Sequence, residues 1–155
     1  MKEIAIEKTD SAFADEIASR PGGENIRKCF SCGVCTGACP VFLVEQEYNP
    51  RRIIRMILLG LRREVLASKI IWLCARCYAC SAHCPQGVSF ADIMAVLRDI
   101  AVREGHAPAD LPEKIEQIGR ASSEFRKNCI NLACGAARVA PQDIVGKAKE
   151  TVDKI

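Results

Sequence analysis

Eight of the ten cysteines fall into two copies of one pattern. The first runs Cys29-x2-Cys32-x2-Cys35-x3-Cys39 and is followed by Pro40; the second runs Cys74-x2-Cys77-x2-Cys80-x3-Cys84 and is followed by Pro85. Thiolates are soft donors that suit iron and zinc. This spacing, closed by Cys-Pro, is the bacterial-ferredoxin run for cubane [4Fe–4S] clusters, in which the fourth cysteine ligates the other cluster. On that rule one cluster takes Cys29, Cys32, Cys35 and Cys84, and the other takes Cys74, Cys77, Cys80 and Cys39. Uncrossed ligation would use the same eight residues. Two structural zinc sites would also consume eight thiolates, but a third cysteine followed by Cys-Pro is unusual for zinc. The expected cofactors are therefore two [4Fe–4S] clusters, and the expected chemistry is electron transfer.

The gaps within the runs differ. A straight helix would spread the first and third cysteines of a run by about 9 Å, so a loop that curls around the cluster serves better. In the first run Gly33 and Gly37 are expected to supply positive φ and close backbone approach. The second run has no glycine and places Arg76, Tyr78, Ser81 and His83 in its gaps. Polarity and hydrogen bonds around the sulfurs set a cluster's potential, so the two clusters should be unequal. With eight thiolates in hand, His83 is not needed as a ligand. Cys129 and Cys134 are too few for a third cubane and read as buried or spare thiols. Trp72 and Tyr78 flank the second run and are expected to pack over a cluster.

The elements that must hold these loops read as helices. Ser11 to Ile17 has short helical periodicity, broken at Pro21-Gly22-Gly23. Asn49-Pro50 is a cap followed by a first-turn proline, and Gly60 is a stop. Between them Ile53, Ile54 and Ile57 recur at helical spacing. A second short helix is expected from Arg63 to Leu73. Ser89 with Asp92 reads as a cap for a helix through Ile93, Val96, Leu97 and Ile100 that ends at Gly105. Asp110 to Glu113 and Pro141 to Asp143 open two more. Almost nothing reads as a strand. The spacing predicts an all-α, helical two-[4Fe–4S] ferredoxin with N- and C-terminal extensions: an arm over 1–24, a di-cluster domain over 25–105 and a helical extension over 106–155. The arginines at 51, 52, 55, 62 and 63 read as a solvated helix face, with an electrostatic docking patch for an acidic partner as the alternative.

Composition excludes more than it selects. Hydrophobic residues make up 49% and aromatic ones 5%, so the core is mainly aliphatic. Two oxidised clusters with their thiolates carry about −2 each, which brings the formal +3 near neutrality and removes the basic bias of nucleic-acid binding. No stretch reaches the ~20 apolar residues of a membrane span. The first eight residues have no apolar signal core, so the thiolates are expected in the cytoplasm. No Gly-x-Gly-x-x-Gly, P-loop or Ser/His/Asp arrangement is present. Nothing marks a substrate site, so catalysis is expected to belong to a partner.

The stretch Cys29-Phe30-Ser31-Cys32-Gly33-Val34-Cys35-Thr36-Gly37-Ala38-Cys39-Pro40, with Asn49-Pro50-Arg51-Arg52 downstream, resembles the iron–sulfur C subunit of heterodisulfide reductase. Ile71-Trp72-Leu73-Cys74 through Cys84-Pro85-Gln86-Gly87-Val88 is similar to that family's second run. The resemblance spans about residues 25–105 and implies a hetero-oligomer. In it, a two-cubane helical ferredoxin joins a flavin-containing A subunit to a catalytic B subunit, whose CCG motifs hold unusual clusters and which cleaves a disulfide. This chain has no Cys-Cys dipeptide, which fits a separate C subunit. The neighbouring alternative is the iron–sulfur subunit of a respiratory or glycolate-type dehydrogenase. Such subunits usually add a plant-type [2Fe–2S] domain or CCG repeats, and neither is visible here.

Overall fold

Helices begin and end where backbone chemistry dictates. Asn49 accepts the Arg52 N–H at 3.1 Å through Oδ1, and Pro50 fills the first turn, where its missing N–H costs nothing. The helix stops before Gly60, which sits at φ 71°. A Cβ there would lie 2.4 Å from the Asp10 carbonyl oxygen, whose own N–H donates to the Gly60 carbonyl at 2.7 Å. Only glycine serves both the turn and that approach.

The computed structural model describes residues 9–135 and 140–153. In order the helices are α1 (Phe13–Ala18), α2 (Val34–Gly37), α3 (Pro50–Leu58), α4 (Arg62–Leu66), α5 (Ala79–Ala82), α6 (Phe90–Arg103), α7 (Leu111–Ala133) and α8 (Pro141–Asp153), with 3-10 turns at Ile26–Lys28 and Lys69–Leu73. No strand occurs among the described residues, so the fold is all-α. The chain forms two compact units, Met1–Ala107 and Pro108–Ile155.

In the first unit α6 is the centre. Its Phe90, Ile93, Met94, Leu97 and Ile100 are buried in one core with Ile53, Ile54 and Ile57 of α3 and Val65 and Leu66 of α4. Each fully buried aliphatic side chain contributes about 1.5–3 kcal/mol. Residues 9–24, expected as an arm ahead of the domain, lie inside this unit: Phe13 and Ile17 of α1 are fully buried in the same core. Residues 1–8 lie outside the described residues. Arg62 ties the corner together. Its guanidinium reaches Asp10 at 3.1 Å, Glu16 at 2.7 Å and Glu104 just after α6, and lies over the Phe13 ring. It holds the Glu104 carboxyl below the usual range by hydrogen bonding. Arg62 is therefore a structural cation and not part of the solvated face expected from sequence.

Two other expectations need correction. The helix expected from Arg63 to Leu73 is interrupted at Ser68, whose hydroxyl accepts the Ile70 N–H at 3.3 Å and starts the 3-10 turn instead; serine competes for local backbone groups in this way. Ser89 makes no side-chain cap on α6. Its carbonyl accepts the Asp92 and Ile93 N–H groups, and the Asp92 carboxylate turns elsewhere, as described below.

The second unit is α7 packed with α8. Pro112 lies in the first turn of α7. Ile118, Phe125, Ile130 and Leu132 of α7 are exposed, while Ile144 of α8 is buried.

Candidate metal centres

Each cysteine run follows the same path. A 3-10 turn delivers the first cysteine, Cys29 or Cys74, in extended conformation. The second and fourth residues after it then turn left-handed: Ser31 and Gly33 at φ 60° and 86°, Arg76 and Tyr78 at φ 50° and 60°. A single helical turn follows, α2 or α5, carrying Cys35 or Cys80. The repeat is one of conformation, not of residue type. Glycine was expected to be the device, and only Gly33 acts so. Gly37 lies inside α2 with open space around it. Tyr78 takes a conformation that costs an ordinary L-residue about 1–2 kcal/mol. It is tethered there, because its hydroxyl donates to Asp92 Oδ1 at 3.1 Å and accepts from Arg76 Nη2 at 3.2 Å.

The folded loops enclose two cavities. One is lined by Cys29, Cys32 and Cys35 of the first run together with Cys84 of the second. The other is lined by Cys74, Cys77 and Cys80 together with Cys39. The fourth cysteine of each run thus lines the cavity of the other run. Phe90, buried at the start of α6, lines both cavities. His83, exposed, lines neither; its ring Nδ1 meets the Ala79 carbonyl at 2.8 Å. Of the aromatics flanking the second run, Tyr78 lines its cavity. Trp72 instead packs beneath the Arg98 guanidinium at 5.6 Å.

The supports around the cavities come from distant residues. Thr36, just after Cys35, donates its hydroxyl to Asn49 Oδ1 at 3.0 Å and accepts the Arg51 N–H at 3.1 Å. The first loop is thereby fastened to the capped end of α3. In the second loop, Arg98 of α6 donates to the carbonyls of Ile71, Trp72 and Cys74 at 2.9, 3.1 and 3.0 Å. Tyr48, 1% exposed, lines the second cavity facing Cys74. Burial, reinforced by the neighbouring thiols, pushes its hydroxyl well above the ordinary range, so it stays protonated. Neither Arg98 nor Tyr48 is marked in the sequence: the partners of Arg98 lie far back along the chain, and Tyr48 stands in a polar stretch.

Both cavities suit a polynuclear iron–sulfur group. Four thiols surround each, and no carboxylate or imidazole lines either. Among the described residues, no three His, Cys, Asp or Glu side chains converge on a single-ion site. Hydrogen-bond donors also meet the sulfur positions. The Val88 N–H donates to Cys84 Sγ at 3.3 Å, and Ser81 Oγ, next to Cys80, is buried without a partner, a state that a sulfur acceptor would relieve. Burial raises the Cys35 thiol above its ordinary pKa and pushes Cys80 up to about 11. These thiols hold their protons at neutral pH, and metal must displace them. Cys129 and Cys134 lie in the second unit and are exposed; of the two roles expected for them, burial does not occur.

Comparison with known proteins points the same way. Residues 25–88 match the family model of a 4Fe-4S dicluster domain. The chain is 37% identical over 101 residues to the C subunit of the H(2):CoB-CoM heterodisulfide,ferredoxin reductase of Methanothermobacter thermautotrophicus, covering 64% of this chain and 54% of that protein. It is 36% identical over 113 residues to the iron-sulfur C 2 subunit of the CoB--CoM heterodisulfide reductase of Methanocaldococcus jannaschii, covering 68% and 60%. It is 42% identical over 83 residues to the C subunit of the Ferredoxin/F(420)H(2)-dependent CoB-CoM heterodisulfide reductase of Methanosarcina acetivorans, covering 54% and 50%. The matched stretch spans little more than half the length of these curated relatives. The chain is a homologue of heterodisulfide reductase C subunits and carries a 4Fe-4S dicluster domain. Among the described residues, no helix is long and apolar enough to cross a membrane.

Proposed function

We propose that this chain is the electron-relay subunit of a heterodisulfide-reductase-type complex, carrying single electrons between a flavin-containing subunit and a disulfide-reducing subunit with CCG motifs. The exchange of the fourth cysteines carries this reading. It leaves two four-thiol cavities that share one apolar wall, Phe90. Cys29, Cys32, Cys35 and Cys84 would hold one [4Fe–4S] cluster; Cys74, Cys77, Cys80 and Cys39 would hold the other. A cluster so held accepts and returns one electron without bond-making at the protein.

What the chain's own residues do follows from their places. The left-handed turns at Ser31, Gly33, Arg76 and Tyr78 bend each loop around its cavity. Phe90, with the aliphatic side chains Ile54 and Val88 at the first cavity and Val41 at the second, keeps water from the space between. Thr36 and Arg98 fix the loops to α3 and α6. The residues lining the two cavities are those of an electron relay whose chemistry ends in a partner.

Iron and acid-labile sulfide analysis of anaerobically purified protein tests the cofactors: about eight irons per chain support the relay, and zinc without sulfide refutes it. Anaerobic purification of the intact complex tests the partners. A flavoprotein and a CCG-containing chain are expected, whereas a succinate- or glycolate-oxidising flavoprotein would move the chain to the dehydrogenase class. In the complex, Cys35→Ala or Cys80→Ala should abolish turnover while leaving artificial-donor reduction of the flavin subunit intact.

A further inference from the structure

Helix α3 carries charges that its own stability does not want. Arg51 and Arg52 occupy its first turn, where no acidic residue is present, although the positive end of a helix dipole favours carboxylates and opposes cations. Arg55 follows on the same exposed side, in the last turn, where the dipole favours a cation. Among the described residues none of the three enters an ion pair, in contrast to Arg62 on the neighbouring helix with its three carboxylates. A local choice that works against the fold without compensation is the mark of a functional surface.

The three arginines line an open groove. Its other walls are Phe30, Met56 and Leu59, with Glu64 as its one carboxylate, and it reaches Cys29 of the first cavity. Phe30 is 60% exposed and Leu59 50%. An apolar centre beside a partly open four-thiol site, rimmed by unpaired positive charge, is the anatomy of an interface that orients its partner electrostatically. The second cavity has no such rim. Its cation, Arg76, is engaged by Tyr78, and Tyr78 in turn by Asp92.

We propose that this groove seats an acidic redox protein, which lays a carboxylate-bearing edge over Arg52 and Arg55 and an apolar patch on Phe30, next to Cys29. That the partner is a redox protein follows from the relay reading; that it is acidic follows from the groove. The first site is then the one that faces this partner.

Titration calorimetry on the cluster-loaded protein tests this, with an acidic plant-type [2Fe–2S] ferredoxin as probe and the basic cytochrome c as its opposite. At low ionic strength the ferredoxin should bind, and its Kd should rise about tenfold or more in the Arg52→Glu/Arg55→Glu variant. The charge-preserving Arg52→Lys/Arg55→Lys variant should stay within about threefold of the parent. Added salt should weaken binding to the parent and little affect the reversed variant. Absence of ferredoxin binding, unchanged affinity after charge reversal, or equally tight binding of cytochrome c overturns the proposal. Iron and sulfide measured on the same samples separate the two ideas. Cluster-free parent protein would sink the relay reading, whereas loaded protein with charge-insensitive affinity sinks only the docking surface. Circular dichroism of both variants shows whether α3 is retained, and the lysine variant tests the role of charge if the reversed one fails to fold.

Discussion

Gly33 in the first cysteine loop and Tyr78 in the second occupy the same turn, both left-handed, and what surrounds them differs at almost every atom. Gly33 needs no tether, since it has no Cβ to strain. Tyr78 is held by Asp92 and Arg76. One residue beyond the third cysteine, Thr36 is bonded into the N-terminus of α3, while Ser81 at the matching place is buried without a partner. Two cysteines of the second cavity are also buried: Cys39 and Cys80 are 8% exposed, whereas every cysteine lining the first is at least partly open. A common ligand pattern thus fixes a common backbone path, and the rest of the fold supports the two copies in unrelated ways. The first is fastened by a helix cap, with all four of its cysteines at least partly open; the second is fastened by a part-buried cation, with two of its four cysteines buried.

Breaking the second fastening should have the largest effect. Arg98→Met leaves three carbonyls without their charged donor and should cost about 3 kcal/mol or more, read as a lower urea midpoint. Because these carbonyls lead into Cys74, iron should fall from about eight toward about four per chain, with the second site lost first. Equal loss from both sites would show that Arg98 supports the whole unit and not one loop.

Next comes the hydroxyl pair. Thr36→Ala removes the bridge between the first loop and α3 and should cost about 1–2 kcal/mol. Ser81→Ala in metal-free protein removes a hydroxyl that bonds nothing, and should be neutral or stabilising by a few tenths of a kcal/mol. Paired urea melts of the two variants check the difference, and equal destabilisation would contradict the assigned contrast.

The smallest effects concern the left-handed turn itself. Gly33→Ala places a Cβ in open enough space, 3.4 Å from Arg51 Nη1, but at φ 86°, so it should cost about 1 kcal/mol through backbone strain. Tyr78→Gly gains a similar amount in relief and loses the Asp92 tether, leaving a net change near zero. Tyr78→Phe, which keeps the strain and loses the tether, should be the less stable of the two Tyr78 variants by thermal melting.

The cysteines that line the two cavities were legible because their spacing is a local property, written within eleven consecutive residues of each run. Helical class was legible for a similar reason: Asn49-Pro50, Gly60 and the isoleucines of α3 act over one or two turns. What could not be read depends on partners far along the chain. Arg62 looked like one more surface arginine until Asp10, Glu16 and Glu104 closed on it. Asp92 looked like part of a cap, yet its carboxylate is taken by Tyr78. Gly37 suggested a special turn by residue type alone, and the strained position fell instead on Tyr78, which sequence preference argues against. Phe13 and Ile17 offered too short a pattern to tell an arm from a core helix.

The proposed exchange of the fourth cysteines underlies the proposed relay, and electron paramagnetic resonance of the dithionite-reduced, anaerobic protein tests it most directly. Cys32→Ala and Cys77→Ala, each altering a cysteine whose run is not in doubt, supply the reference spectra for damage to the first and second sites. The exchange predicts that Cys84→Ala reproduces the Cys32→Ala spectrum and that Cys39→Ala reproduces the Cys77→Ala spectrum. If Cys84→Ala matches Cys77→Ala instead, each run holds its own cluster and the exchange is contradicted.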